Sequence, residues 1–126
     1  MTYGIVRLMG ELRELGYEVR EVTAPSGEKF AVISPFTIPG GRFAGRVIDL
    51  ALQGTPDFPR TPGSAIHVRA EPQLYDLGDS LPNVRNIQAS ALGPEWRYWS
   101  HNFGWNGERS ARRLMSQVNG IFFNAS

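Results

Sequence analysis

Apolar residues at Ile5, Leu8, Met9, Leu12 and Leu15 recur at three- and four-residue intervals, the spacing that gathers side chains on one face of a helix. Gly16 supplies the stop, because helices commonly end on a glycine in left-handed geometry. Arg7, Glu11, Arg13 and Glu14 lie around the other faces, so the opening helix is amphipathic and must lie on something. The period then changes. Tyr17, Val19 and Val22 alternate loosely with charges, Ala24-Pro25-Ser26-Gly27 reads as a turn, and Phe30-Ala31-Val32-Ile33-Ser34 reads as a buried strand, which together predict a hairpin. Pro35 to Gly41 is a proline- and glycine-rich connection. The run Arg46 to Leu52 follows as a third strand, with Val47, Asp49 and Ala51 on one side and Ile48, Leu50 and Leu52 on the other. Thr55 to Gly63 is a second stiff connection, and Ala65-Ile66-His67-Val68-Arg69 a fourth strand.

Residues 70 to 105 show no convincing periodicity and read as one long irregular segment, a feature more often functional than idle in a compact domain. It holds Leu81-Pro82-Asn83 and then a dense aromatic run, Trp96-Arg97-Tyr98-Trp99-Ser100-His101, followed by Phe103 and Trp105. Helical spacing returns at Ala111, Leu114, Met115, Val118, Ile121 and Phe122, with Asn106 or Gly107 suited to begin that last helix. The order is helix, four-stranded antiparallel meander, long irregular segment, helix, which predicts an α+β fold rather than alternating βαβ units.

Composition narrows the class. At 126 residues, with 41% hydrophobic and 20% charged, the chain is expected to form one globular domain over residues 1–126. A net charge of +1 argues against a general polyanion-binding surface, so neither nucleic acid nor an anionic membrane is an expected partner. Cysteine is absent, which removes disulfides, thiolate metal sites and every cysteine-nucleophile mechanism. Two histidines far apart and scattered carboxylates give no metal-ligand spacing, and Pro39-Gly40-Gly41 lacks the Lys-Ser/Thr of a phosphate-binding loop, so no metal and no cofactor are expected. No apolar run approaches the roughly 20 residues of a membrane helix, and the start lacks the layout of a signal peptide, so the expected location is cytoplasmic.

The order of motifs resembles the ubiquitin-conjugating-enzyme fold. Pro39-Gly40-Gly41-Arg42-Phe43 resembles that family's glycine-rich approach to its third strand. Phe58-Pro59-Arg60-Thr61-Pro62 resembles its aromatic-Pro-x-x-Pro signature between the third and fourth strands. Leu81-Pro82-Asn83 resembles its His-Pro-Asn, with leucine in place of histidine, and Trp105 matches a tryptophan ahead of the last long helix. The run from Trp96 to His101 is similar to the closing segment of short bacterial conjugating-enzyme-like proteins, Trp-x-x-Trp-Ser-x-His, although here serine and histidine are adjacent. The resemblance covers roughly residues 5 to 122 and implies two partners, a ubiquitin-like protein and a ubiquitin-activating-enzyme-like protein. It departs from the family at the decisive point, since members carry their cargo as a thioester on a cysteine between the Pro-Asn motif and the tryptophan.

Acyl transfer without sulfur needs another nucleophile, a proton acceptor and donors for the developing oxyanion. Ser90 and Ser100 both fall between Asn83 and Trp105. Ser100 is preferred, because its aromatic neighbours can hold it in a partly dry pocket and His101 offers a near-neutral base. Adjacent residues of an extended chain point to opposite sides, so that pair must converge in a turn, or His67 must reach across from the fourth strand. Asn83, by the resemblance, is the oxyanion donor. Together with the resemblance, these residues imply a bacterial conjugation component that carries its cargo as a serine oxyester. The alternative is a catalytically inactive variant that binds the ubiquitin-like protein or its activating enzyme through the opening helix, with Arg7 and Arg13 at the interface. A third reading makes Trp96, Arg97, Tyr98 and Trp99 a stacking platform for single-stranded nucleic acid.

Overall fold

A computed structural model describes residues 3–60, 65–81, 84, 86–101, 103 and 109–124. The elements in chain order are α1 (Ile5–Glu14), β1 (Val19–Thr23), β2 (Lys29–Thr37), β3 (Val47–Gln53), β4 (Ala65–Arg69), β5 (Ile87–Ser90), β6 (Gly93–Ser100) and α2 (Ala111–Phe123). Ile5, Leu8, Met9 and Leu12 are the buried stripe of α1, and Gly16 closes it with a φ of 98°. Helix α2 begins behind Ser110, whose side chain accepts the N–H of Arg113, and it buries the apolar positions that the spacing singled out, Ala111 to Phe122. Asn106 and Gly107, read as its start, lie outside the described residues.

Among the described residues the sheet is antiparallel and has six strands in the order β1-β2-β3-β4-β6-β5, where four were expected. The two additional strands come from the segment read as irregular, so the expectation of one aperiodic stretch from 70 to 105 is corrected: β5 and β6 form a hairpin, and the Trp96–Ser100 run is strand. The physical reason is that β6 lies between β4 and β5 and buries a tryptophan on each face, Trp99 on one and Trp96 on the other, which erases a simple alternation. Strand β2 also runs further than Ser34. It crosses Pro35 with a register shift between Ile33 and Phe36, because proline has no N–H to give the ladder, and pairing then resumes at Phe36 with Ile48.

Both helices pack on one face of the sheet. There Ala31, Ile33, Leu50, Leu52, Ile66, Val68, Ile87 and Trp99 meet the buried stripes of α1 and α2 in one core. The opposite face carries a smaller cluster of Ala24, Phe30, Val32, Ala51 and Trp96. The two ends of the chain are locked by Glu11, which bonds Arg7 on its own helix and accepts the Ala111 N–H at the start of α2 at 2.7 Å. A carboxylate at a helix N-terminus satisfies an orphan amide and complements the helix dipole.

Candidate functional site

The β5–β6 hairpin and the strand beside it, β4, hold the hydroxyls and imidazoles that the sequence put forward. Ser100 is the last residue of β6, opposite Ala65 of β4, and is half-buried. Its hydroxyl accepts the backbone N–H of Asn86 at 3.1 Å and lies 3.4 Å from both the carbonyl and the side-chain oxygen of Asn86, while its own N–H donates to the Asn86 carbonyl at 3.3 Å. His101, the next residue, turns to the helices: its Nε2 is 3.2 Å from Oε1 of Gln117 on α2, and its ring meets Phe103 edge to face at 4.7 Å. Alternation along an extended chain is what directs the two side chains to different partners. Asn83, the expected oxyanion donor, lies outside the described residues, as do Pro82, Trp105 and the Thr61-Pro62 end of the proline signature.

The structure brings a different hydroxyl and imidazole together. His67, in the middle of β4, is paired in register with Ala51 of β3 and Tyr98 of β6. Its ring lies between Phe30 at 4.8 Å and Tyr98 at 5.3 Å, both edge to face, and is 5% exposed. Burial pushes its pKa down to about 4, so the ring is neutral at neutral pH. Nδ1 is 2.7 Å from Oγ of Ser90, at the end of β5. The register of β5 against β6 slips between Ala89 and Ser90, leaving Ser90 opposite Gly93. Such a bulge re-aims a side chain, and here it directs Ser90 over β6 to the strand beyond. The Ser90 hydroxyl also accepts the N–H of Leu92 at 3.1 Å. The sequence offers His67 as a group to reach across from the fourth strand to Ser100; the structure pairs it with Ser90 instead, and the bulge that does so leaves no mark in the residue pattern.

The same face carries a charged cluster. Arg69 donates to Asp49 at 2.7 Å, reaches Glu95 at 3.6 Å and lies 4.9 Å over the ring of Trp96. Burial opposes the ionisation of Asp49, yet hydrogen bonds from Ser34 and Arg69 outweigh it and hold its carboxyl below the usual range. A cleft of about 640 Å³ opens beside these groups, with Val47, Glu71, Gln73 and Pro94 also in its walls. Trp96 is 6% and Trp99 1% exposed, on opposite faces of the sheet, so the two rings do not form the stacking platform that a nucleic-acid module would use.

Two helices on one face of an antiparallel sheet, with the chemistry-bearing hairpin at its far edge, define an α+β protein consistent in broad terms with an E2-like fold. The family model described as Prokaryotic E2 family E matches residues 9–121, and the chain belongs to that family. No curated protein and no solved structure matches it. Membership supports a role in bacterial ubiquitin-like conjugation and, in general terms, interaction with a ubiquitin-like protein and its activating enzyme. Among the described residues no helix is long and apolar enough to cross a membrane, and no group of three or more acidic or histidine side chains is placed to hold a metal ion.

Proposed function

We propose that this protein is a cysteine-free carrier in bacterial ubiquitin-like conjugation, accepting the activated tail of a ubiquitin-like protein from an activating enzyme as a serine oxyester and passing it to a target. The observation that carries this reading is a match to an E2 family across residues 9–121 in a chain with no cysteine, whose β5–β6 hairpin presents two half-buried serines, Ser90 and Ser100. An ester is a less reactive acyl donor than a thioester, but it is competent for transfer to an amine or to water. The arrangement proposed from sequence sets Ser100 as acceptor, His101 as its base and Asn83 as oxyanion donor. For it to act, His101 must leave Gln117 and turn toward the open face of the sheet.

Intact-mass analysis tests the carrier role. The protein is mixed with an activating enzyme from the same genome, the ubiquitin-like protein that enzyme charges, and ATP. The expected product is a covalent adduct that alkali cleaves and thiol reductant does not, with peptide mapping placing it on a serine of the hairpin. No adduct, under conditions where the activating enzyme itself is charged, rejects the carrier reading.

A docking role without catalysis is the second reading, favoured by the commitment of the Ser100 hydroxyl to Asn86 and of the His101 ring to Gln117. It places the interface on the outer face of α1, where Val6 is 65% exposed. Charge reversal at Arg13 then weakens binding to the activating enzyme, while Ser100→Ala leaves it unchanged.

A further inference from the structure

We infer that Ser90, with His67 as its general base, is the hydroxyl that receives the acyl group. This rests on the carrier reading above and names the reacting pair within it. Three observations converge on Ser90. Its Oγ is 2.7 Å from Nδ1 of His67, within the range over which a base takes a proton directly. Accepting the Leu92 N–H occupies a lone pair of the oxygen and leaves the hydroxyl's single hydrogen to point at the ring when the neutral imidazole carries its proton on Nε2. And Ser90 is partly exposed at the end of its strand, whereas His67 is held between Phe30 and Tyr98 and is sealed from water. A nucleophile at the rim and a fixed base beneath it are the two components that activation of an alcohol requires.

The step balances without a metal or an oxidant. Oγ of Ser90 attacks the carbonyl carbon of a thioester on the activating enzyme, a C–O bond forms as the C–S bond breaks, and the hydroxyl proton passes to Nδ1. The departing thiolate then takes that proton from the imidazolium, returning His67 to its neutral state. Burial makes His67 a weak base, but it also keeps the nitrogen lone pair unprotonated and aimed at Ser90. Among the described residues the contacts of the Ser100 hydroxyl are to Asn86, with no imidazole among them.

The experiment uses p-nitrophenyl acetate as the acyl probe on the full chain, with peptide mapping of the acetylated product. Ser90 is expected to acetylate first, and His67→Gln, confirmed folded by its thermal melt, is expected to slow that reaction about a hundredfold. A role for His67 in packing alone leaves the rate at Ser90 unchanged. Because the chain has no cysteine, Ser90→Cys and Ser100→Cys each introduce a unique thiol. Iodoacetamide is expected to alkylate the Ser90→Cys thiol at least about tenfold faster than the Ser100→Cys thiol, because the neutral imidazole beside it can take the thiol proton as the sulfur attacks. Equal alkylation rates, or acetylation of Ser100 ahead of Ser90, overturn the assignment. An oxyester found at Ser100 with the activating enzyme, while Ser90 resists the probe, overturns this inference and leaves the carrier reading standing. A reactive Ser90 in a protein that never forms an ester with a ubiquitin-like protein supports the pair and removes the carrier role.

Discussion

The imidazole of His67 is buried and neutral, and this makes it a source of acid sensitivity as well as a candidate base. Its pKa falls from 6.5 to about 4 on folding, so between those values the unfolded chain binds more protons than the native one. Stability from this group is therefore complete above about pH 6.5 and is lost as pH falls toward 4, by about 3 kcal/mol in all. Urea unfolding at several pH values should show that loss, and His67→Phe should flatten the slope within the same window. At Ser100 the expected effect is smaller. Ser100→Ala removes the acceptor of the Asn86 N–H and should cost about 1 kcal/mol, read as a lower melting temperature. Its loss of stability must be measured beside any loss of activity, since a hydroxyl that fastens β5 to β6 affects the fold before it affects chemistry.

Among the elements, the helices were the most legible from the residues, because each presents one apolar stripe to one surface. The stripes of α1 and α2 predicted the buried positions except Leu15, which is exposed just beyond α1, and the alternation of Val47 to Leu52 separated the two sides of β3, of which the Ile48, Leu50 and Leu52 side meets the helices. The hairpin of β5 and β6 was not legible. Four residues of β5 are too few to establish a period, Gly93-Pro94 reads as loop, and β6 is apolar toward both faces. The candidate site is legible in residue type but not in pairing: the sequence points to serine and histidine, whereas the Ser90–His67 contact spans 23 positions and depends on a bulge. The contact between α1 and α2 is longer in range still. Glu11→Ala leaves the Ala111 N–H without its charged acceptor and should destabilise by about 2 kcal/mol in chemical denaturation, while Glu11→Gln retains an acceptor and should lose less. Gly41 joins another pair of elements. It has a φ of 80°, and an added Cβ would lie 2.0 Å from the carbonyl oxygen of Phe122 near the end of α2. Gly41→Ala should therefore lower stability by about 2–3 kcal/mol, measured by thermal melting.

At the scale of the whole molecule, the six strands divide the protein into two unequal sides. The helix side holds most of the apolar mass. Trp99 belongs to that side, packed against Phe122 and Tyr75, so Trp99→Ala should cost about 3–5 kcal/mol and unfold the sheet and helices together in a single transition. The other side holds Ser90, His67, Asp49 and Arg69. Lys29, the chain's single lysine, lies one position from Phe30 on β2, so its side chain projects to the side opposite His67, where it pairs with Glu21 at 3.5 Å. The sheet thus stands as a wall between the only side-chain amine and the Ser90 hydroxyl. An acyl group held at Ser90 would be kept from the lysine of its own chain, so an isopeptide bond at Lys29 would point to transfer between molecules.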